Sequence, residues 1–337
     1  MTSHSVARAL TPSESAGAAP ALAERRIAVL VPCYNEEIAI AKVIEGFRKA
    51  LPNAVIHVYD NNSSDRTSEV ARAAGAVVGN ETRQGKGHVV RRMFADIDAD
   101  IYVLVDGDAT YDAPSAPRMV EKLIAENLDM VVGTREDQEE AAYRRGHRSG
   151  NVLFTWFVTG IFGNAFTDIL SGYRAFSRRF VKSFPALSTG FEIETELTIH
   201  ALELDMPVGE VSTPYFSRPA GSASKLSTWR DGLRISWTIQ RLYRTERPLQ
   251  FFGLISLLLA GLSVVLAVPV IDTYVETGLV PRIPTAILAT GMMLAALLAL
   301  VAGLILDTVT RGRREIKRLA YLSHRAPHLV ERRSKAT

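Results

Sequence analysis

The stretch Ile101-Tyr-Val-Leu-Val-Asp-Gly-Asp108 decides the fold expected of this chain and the chemistry expected of it. Its apolar half predicts a strand buried on both faces, as in a parallel sheet. In open α/β sheets, ligands bind just beyond the carboxyl ends of such strands. Asp106 and Asp108 stand at that point, and carboxylate oxygens are ligands for hard divalent cations. We therefore expect these two residues to hold a metal ion and, through it, a phosphate.

Strand-like and helix-like segments alternate from Arg26 to about Arg135. The predicted strands are Ile27–Val31, Ala54–Tyr59, Ala76–Val78, the run ending at Val105, and Asp129–Gly133. The predicted helices between them are Glu36–Ala50, Asp65–Ala74, Lys86–Ile97 and Pro114–Asn127. This βαβα order predicts a Rossmann-like α/β domain with a mostly parallel sheet and helices on both faces.

Two long apolar stretches near the C-terminus, about Leu249–Ile271 and Pro284–Leu306, contain no Asp, Glu, Lys or Arg. Each is long enough to cross a hydrocarbon core of roughly 30 Å. Arginines flank both stretches, whereas the short loop between them carries only Asp272, Glu276 and Arg282 as charged residues. The positive-inside rule then places both ends, and with them the large N-terminal part, in the cytoplasm.

The composition divides the chain into five regions. We expect a disordered tail at 1–26, an α/β domain at 27–229, a juxtamembrane amphipathic helix at 230–248, a two-helix transmembrane hairpin at 249–307 and a basic cytoplasmic tail at 308–337. The basic residues flank the apolar stretches and form no stripe on a folded domain, which argues against a nucleic-acid partner. The single cysteine, Cys33, excludes an intramolecular disulfide and is interpreted as a small packing residue.

Four polar segments follow predicted strands, so we expect them to share one pocket. They are Pro32-Cys-Tyr-Asn-Glu-Glu37, Asp60-Asn-Asn-Ser-Ser-Asp65, Arg83-Gln-Gly-Lys-Gly87 and Asp106-Gly-Asp108. The glycines beside Lys86 have neither the P-loop spacing nor the third glycine of a dinucleotide site. A nucleotide-sugar donor accounts for the set. Asp60 would accept hydrogen bonds from the base or ribose, the cation would bridge the two phosphates, and Lys86 would add a positive charge.

In combination these segments resemble the family 2 glycosyltransferases with the GT-A fold. Within that family the chain is most similar to the polyprenyl-phosphate (dolichol-phosphate) sugar synthases, in particular their bacterial membrane-anchored members. The resemblance spans about Arg26 to Trp229 and extends to the two apolar stretches. Three further motifs carry it: Thr167-Asp-Ile-Leu-Ser-Gly-Tyr-Arg174, Gly190-Phe-Glu-Ile-Glu194 and Arg218-Pro-Ala-Gly-Ser-Ala-Ser-Lys-Leu226.

The resemblance implies a role for each matched position. The donor-binding residues are Pro32, Tyr34, Asn35, Glu36, Asp60, Asn61, Lys86, Asp106 and Gly107. The catalytic residues are Asp106, Asp108 and Asp168, with Mg²⁺ or Mn²⁺ on the first two. The residues around the acceptor phosphate are Arg174, Arg218, Ser224 and Lys225.

The function expected is the inverting transfer of one hexose from a nucleotide diphosphate sugar to polyprenyl phosphate at the cytoplasmic face of the bacterial inner membrane. A phosphate monoester is largely dianionic at neutral pH, so no dedicated general base is required. The remaining acidic candidates, Asp168, Glu192 and Glu194, then orient the acceptor or steady the sugar, and capping of a helix stays open for the two glutamates. The two spans provide anchorage and a surface for homo-oligomer contacts.

Several alternatives remain at this point. Mannosyl members of the family commonly carry Asp-Asp-Gly-Ser where this chain has Asp60-Asn-Asn-Ser63, which favours a UDP-sugar over GDP-mannose. A nonprocessive transferase acting on a glycolipid hydroxyl would need a true base. A processive polysaccharide synthase would carry Gln-x-x-Arg-Trp, and Gln240-Arg-Leu-Tyr-Arg244 does not match it. If the chain were only a membrane-anchored scaffold, it would show no cation-dependent binding of a nucleotide.

Overall fold

The computed structural model of the chain describes residues 25–137, 166–190, 192–219 and 243–328. They belong to two compact units, Met1–Thr228 with Lys317–Thr337, and Trp229–Ile316. Most of the tail and most of the juxtamembrane helix expected from the sequence lie outside the described residues.

A seven-stranded sheet in the order β3-β2-β1-β4-β6-β5-β7 forms the centre of the first unit. Its strands are β1 (Ile27–Cys33), β2 (Val55–Asp60), β3 (Val77–Asn80), β4 (Ile101–Leu104), β5 (Met130–Asp137), β6 (Arg174–Ser177) and β7 (Val208–Tyr215). β1 pairs in parallel with β2 and β4, β2 with β3, and β5 with β7. β6 runs antiparallel between β4 and β5. The mostly parallel sheet is thus confirmed, with one antiparallel strand that the sequence did not predict.

Helices pack beside the sheet, and the first four of them lie where the sequence predicts helices. They are α1 (Ile40–Ala50), α2 (Thr67–Ala73), α3 (Lys86–Asp96), α4 (Ala116–Ala125), α5 (Arg178–Ser183) and α6 (Ile193–Glu203). α1 begins four residues later than the predicted start at Glu36, because residues 37–39 form a turn. It buries Ile40, Val43, Ile44 and Phe47, one stripe of a 3.6-residue period. Full burial of each such side chain contributes about 1.5–3 kcal/mol.

β4 is buried along its whole length, as its apolar run predicts. Ile101 and Val103 belong to the core that includes α1 and α4. On the opposite face, the ring of Tyr102 packs edge-on against Phe94, which in turn packs against Phe176. The two faces together exclude water from the strand that ends just before Asp106.

Strand direction brings the chemistry-bearing loops to one edge of the sheet. The parallel strands β1, β2 and β4 all end there. Antiparallel β6 pairs its first residue, Arg174, with Leu104 at the end of β4, so the segment leading into β6 arrives at the same edge. β5 ends there as well, because its register with β6 pairs Val132 with Arg174. β7 is parallel to β5 and ends alongside it.

The segment Lys317–His328 belongs to the first unit. The hydroxyl of Tyr321 donates to the carboxylate of Asp129 at 2.9 Å, and Asp129 has no exposed surface. The guanidinium of Arg179 pairs with the same carboxylate and lies 4.7 Å above the ring of Tyr321. Part of the region expected from the sequence to be a basic tail therefore packs into the folded unit.

The second unit is built on α7 (Pro248–Thr277) and α8 (Ile283–Leu322), both long and apolar enough to cross a membrane. Four small residues of α8 spaced seven apart are buried: Ala289, Ala296, Gly303 and Thr310. Small residues let two helices approach closely, and Ser263 of α7 donates to the Ala289 carbonyl at 2.7 Å. Large apolar side chains elsewhere on both helices are exposed. These features indicate association with a membrane.

Two adjacent basic residues of α8 should differ sharply in their effect on stability. Lys317 lies 2.6 Å from the carboxylate of Glu203, whose side chain is 2% exposed, whereas Arg318 lies 3.4 Å from Asp205, which is 85% exposed. Lys317→Ala removes the ammonium from a buried carboxylate and should lower the free energy of unfolding by about 2 kcal/mol. Arg318→Ala is the matched control and should cost about 0.5 kcal/mol or less. Denaturation of the full chain in detergent measures both, and equal losses would contradict a specific role for the Lys317 pair.

Candidate active site

Asp106 and Asp108 follow β4 directly and are separated by Gly107. Asp106 is half-buried, and Asp108 is 4% exposed. A Cβ atom on Gly107 would lie 2.5 Å from Sγ of Cys33, closer than any real contact. Only glycine therefore fits between the two aspartates. Cys33 is buried against it, which confirms the packing role expected for this thiol.

Lys86 joins Asp106 to Glu194. Its Nζ lies 2.5 Å from Oδ1 of Asp106 and forms a second ion pair with Oε1 of Glu194. Burial lowers the pKa of the ammonium, but the two carboxylates outweigh burial, so the pKa is raised. Burial raises the pKa of the Glu194 carboxyl, and Lys86 opposes that rise. Lys86 is thus a permanent positive charge beside Asp106, and Glu194 lies in the site instead of capping α6.

The glycines on either side of Lys86 allow a close backbone approach. Gly85 has φ +133°, and a Cβ atom there would overlap the carbonyl oxygen of Thr189. A Cβ atom on Gly87 would overlap the carbonyl oxygen of Ser188. The Gly-Lys-Gly run therefore places the start of α3 directly against the segment that leads into α6.

Asp108 is held on both of its oxygens. Oδ1 accepts hydrogen bonds from the hydroxyl of Thr110 at 2.6 Å and from its amide at 3.2 Å. Oδ2 lies 2.7 Å from Nη2 of Arg218. Burial raises the pKa of the Asp108 carboxyl, and the charge of Asp106 raises it further. The positive charge of Arg218 beside Oδ2 opposes that rise.

The loop after β1 lies against the loop after β2. The backbone amide of Asn35 donates to the hydroxyl of Ser63 at 2.9 Å. Tyr34 is 37% exposed, Pro32 is half-buried and Glu36 is buried. Pro32 thus lies near the end of β1, Tyr34, Asn35 and Glu36 lie in the loop after it, and the atoms that contact a donor stay a prediction.

Asp60 and Asn61 use their side chains to hold neighbouring loops. The carboxylate of Asp60 accepts from the amide and hydroxyl of Ser63 and from the hydroxyl of Ser68. The amide nitrogen of Asn61 donates to two carbonyls of the loop before α3, at 2.9 and 2.7 Å. Its amide oxygen accepts from the backbone amide of Gly85 at 2.7 Å. Both residues therefore position the loops around the pocket.

Asp168 forms a two-pronged ion pair with Arg135. Nε and Nη2 of the guanidinium lie 2.7 and 2.8 Å from the two carboxylate oxygens. The same guanidinium lies 5.6 Å from the ring centre of Tyr215. An adjacent cation stabilises a carboxylate as the anion and makes it a weaker base. The sequence did not lead us to expect Arg135 in the site. The signal that could have identified it is its position, two residues beyond the end of a predicted strand.

Arg174 does not lie where the resemblance implied. It has no exposed surface, and its guanidinium donates to the carbonyls of Ser171 and Ile169 and to the hydroxyl of Thr198. Burial lowers its pKa to about 10. The assignment of Arg174 to the acceptor phosphate is therefore corrected: it supports the loop before β6 from inside the core. Ser224 and Lys225 lie outside the described residues.

The donor set at the carboxyl edge fits a hard divalent cation. Asp106 and Asp108 supply carboxylate oxygens, and the buried Oε2 of Glu194 has no hydrogen-bond partner. Within the described ranges, no three His, Cys, Asp or Glu side chains converge as a ready-made cage. Mg²⁺ is commonly held by one or two carboxylates together with substrate phosphates. The aspartate pair suits that mode of binding.

Comparison with known proteins agrees with this geometry. The chain matches the glycosyl transferase family 2 model over residues 28–184. Glycosyltransferase AglJ of Haloferax volcanii is 34% identical over 300 residues, covering 88% of this chain and 98% of that protein. A dolichyl-phosphate hexose transferase of the same organism is 29% identical over 222 residues, covering 66% and 95%.

Among solved structures, glucosyl-3-phosphoglycerate synthase of Mycobacterium tuberculosis has a similar fold. In complex with Mn²⁺, UDP-glucose and phosphoglyceric acid, it aligns with a TM-score of 0.50 and 26% identity, covering 60% of this chain and 76% of that chain. This likeness and the mostly parallel sheet confirm the GT-A fold, and α7 and α8 are the two expected C-terminal apolar helices.

The contact between Gly107 and Cys33 gives a prediction with an internal control. Gly107→Ala should lower the free energy of unfolding by about 1–3 kcal/mol, because the new methyl group meets Sγ of Cys33. The double variant Cys33→Ala/Gly107→Ala removes that sulfur and should recover most of the loss. Thermal denaturation of the single and double variants measures the coupling. Simple additivity of the two losses would contradict the proposed clash.

Proposed function

Since the chain belongs to glycosyl transferase family 2, we propose that this glycosyltransferase moves one hexose from a nucleotide diphosphate sugar to polyprenyl phosphate. One observation carries the proposal: Asp106 and Asp108 each pair with a basic side chain, Lys86 and Arg218, at the same edge of the sheet. Carboxylates for a metal and cations for phosphates, side by side, suit a reaction between two phosphate-bearing substrates.

The donor is a UDP-sugar. Asp106 and Asp108 would hold Mg²⁺ or Mn²⁺, which neutralises charge on the departing nucleoside diphosphate. Lys86 places a permanent charge beside Asp106, where it can bind the diphosphate oxygens. The Mycobacterium tuberculosis enzyme binds UDP-glucose with Mn²⁺, which supports the choice of donor. Mannosyl members commonly have an acidic residue and a glycine where this chain has Asn61 and Asn62. This difference argues against GDP-mannose as the donor.

The acceptor is a phosphate monoester. Such a group is largely dianionic at neutral pH, so its oxygen attacks the anomeric carbon without losing a proton to a base. The bond between that carbon and the diphosphate breaks on the opposite face, and the configuration inverts. Two of the acidic candidates are already engaged, Asp168 with Arg135 and Glu194 with Lys86, and neither could take a proton from a hydroxyl without giving up its ion pair. A hydroxyl acceptor would require one of them to be free for proton transfer.

The lipid part of the acceptor is supported by two independent features. A relative with 29% identity is named a dolichyl-phosphate hexose transferase. The chain also carries two helices long and apolar enough to cross a membrane, with arginines flanking their apolar cores. The charge bias favours a cytoplasmic location for the α/β unit, at the inner membrane of a bacterium. Arg218, with Ser224 and Lys225, would bind the lipid phosphate.

The direct test offers labelled UDP- and GDP-sugars together with undecaprenyl phosphate to the membrane-embedded protein. We expect label in the organic phase from one UDP-hexose, and its loss when EDTA removes the cation. Label transferred to a neutral glycolipid instead would favour the nonprocessive hydroxyl-directed alternative. Transfer from GDP-mannose would overturn the assignment of the donor.

Asp108→Asn should reduce transfer by about a hundredfold or more, because the amide keeps the shape but loses the charge that binds the cation. Asp112→Asn is a matched control. Asp112 accepts from the hydroxyl of Ser115 at 2.6 Å, an interaction that an amide oxygen preserves. Initial rates with the preferred UDP-sugar measure both variants. Full activity of Asp108→Asn would refute the metal role of this residue.

A further inference from the structure

Arg218 contacts the oxygen of Asp108 that a metal ion would need. Oδ1 of Asp108 already accepts two hydrogen bonds from Thr110 within the same turn. Oδ2 is the oxygen that Thr110 does not contact, and Nη2 of Arg218 lies 2.7 Å from it. A divalent cation bound to Oδ2 would compete with the guanidinium, because two positive groups in direct contact with one oxygen repel each other.

We propose that Arg218 and the donor-bound cation compete for Oδ2 of Asp108, so that binding of the metal–donor complex releases Arg218 for the acceptor phosphate. This inference rests on the proposed function. It makes Arg218 a binding residue whose availability to the lipid phosphate depends on the metal–donor complex.

The exposure of the two side chains fits an exchange of partners. The side chain of Asp108 is 6% exposed, so Oδ2 offers room for one close charged partner and little room for water. The side chain of Arg218 is 30% exposed, so it can turn toward a ligand without leaving a buried charge behind. Arg218 stands three residues beyond the end of β7, at the edge where the substrates meet. A guanidinium binds phosphate as readily as carboxylate, with two parallel hydrogen bonds.

Lys86 cannot perform the same exchange. It is held by two carboxylates at once, Asp106 and Glu194, and its side chain is 9% exposed. Loss of one partner to a metal ion would leave Lys86 bound to the other. Of the two cations on the aspartate pair, Arg218 is therefore the one that the metal displaces, and Lys86 is the one that stays.

The competition predicts that loss of the Arg218 guanidinium strengthens binding of the metal ion and weakens binding of the lipid phosphate. Titrations of the full chain in detergent would measure Mn²⁺ binding in the presence of UDP, and separately the binding of farnesyl phosphate, a soluble polyprenyl phosphate. Arg218→Gln should bind Mn²⁺ on the order of tenfold more tightly than the unaltered chain, because no guanidinium holds Oδ2. Arg218→Lys keeps the charge and should fall between the two. Repeating the titrations at high salt separates this contact from long-range repulsion, which salt screens.

The matched pair Asp108→Asn and Asp106→Asn tests the release of Arg218 without metal. Both variants lose one negative charge at the same edge, but only Asp108→Asn weakens the hold on Arg218. We expect Asp108→Asn to bind farnesyl phosphate about tenfold more tightly in the absence of Mn²⁺, and Asp106→Asn to change this binding by less than about twofold.

The outcomes separate the inference from the function it rests on. Failure of the unaltered chain to bind Mn²⁺ with UDP would overturn the proposed function itself. If it binds them, an unchanged or weaker Mn²⁺ affinity in Arg218→Gln would overturn the competition. Equal effects of Asp106→Asn and Asp108→Asn on farnesyl phosphate would overturn it as well, since charge alone would then explain both.

Discussion

Two carboxylates at the end of a fully buried strand are the constraint on which the rest of the site depends. Burial and the charge of Asp106 both disfavour ionised Asp108, so a cation must lie nearby. Lys86 pairs with Asp106 from the first turn of α3, and Arg218 pairs with Asp108 from the segment after β7. The two carboxylates at the end of β4 therefore require two basic segments, distant from each other in sequence, to lie beside them.

The segments around Lys86 and the aspartate pair are held by contacts within the protein itself. Gly107 fits against Cys33, the glycines beside Lys86 admit the backbone of residues 188–189, and Asn61 bonds the loop before α3. None of these contacts uses a ligand. A site fixed in this way loses little conformational freedom when a substrate binds, which is the basis of preorganised catalysis.

The part of the fold built from apolar runs was predictable, and the part that depends on tertiary context was not. β1, β2 and β4 are short apolar strands whose ends carry the polar motifs, so their shared edge follows from chain direction alone. β6 begins with Arg174 and has four residues, and nothing local marks it as a buried antiparallel strand. Arg174 was assigned to the acceptor phosphate on the resemblance alone, whereas internal carbonyls and a threonine satisfy it here.

The pairing of the acidic residues bears on the class of acceptor. A hydroxyl becomes a good nucleophile only when a base removes its proton, and a base must hold that proton in a group of suitable pKa. Asp168 faces the guanidinium of Arg135, and Glu194 faces the ammonium of Lys86. Protonation of either carboxylate would break its ion pair with that partner. A site whose carboxylates are neutralised in this manner suits a nucleophile that arrives already anionic, and a lipid phosphate is one.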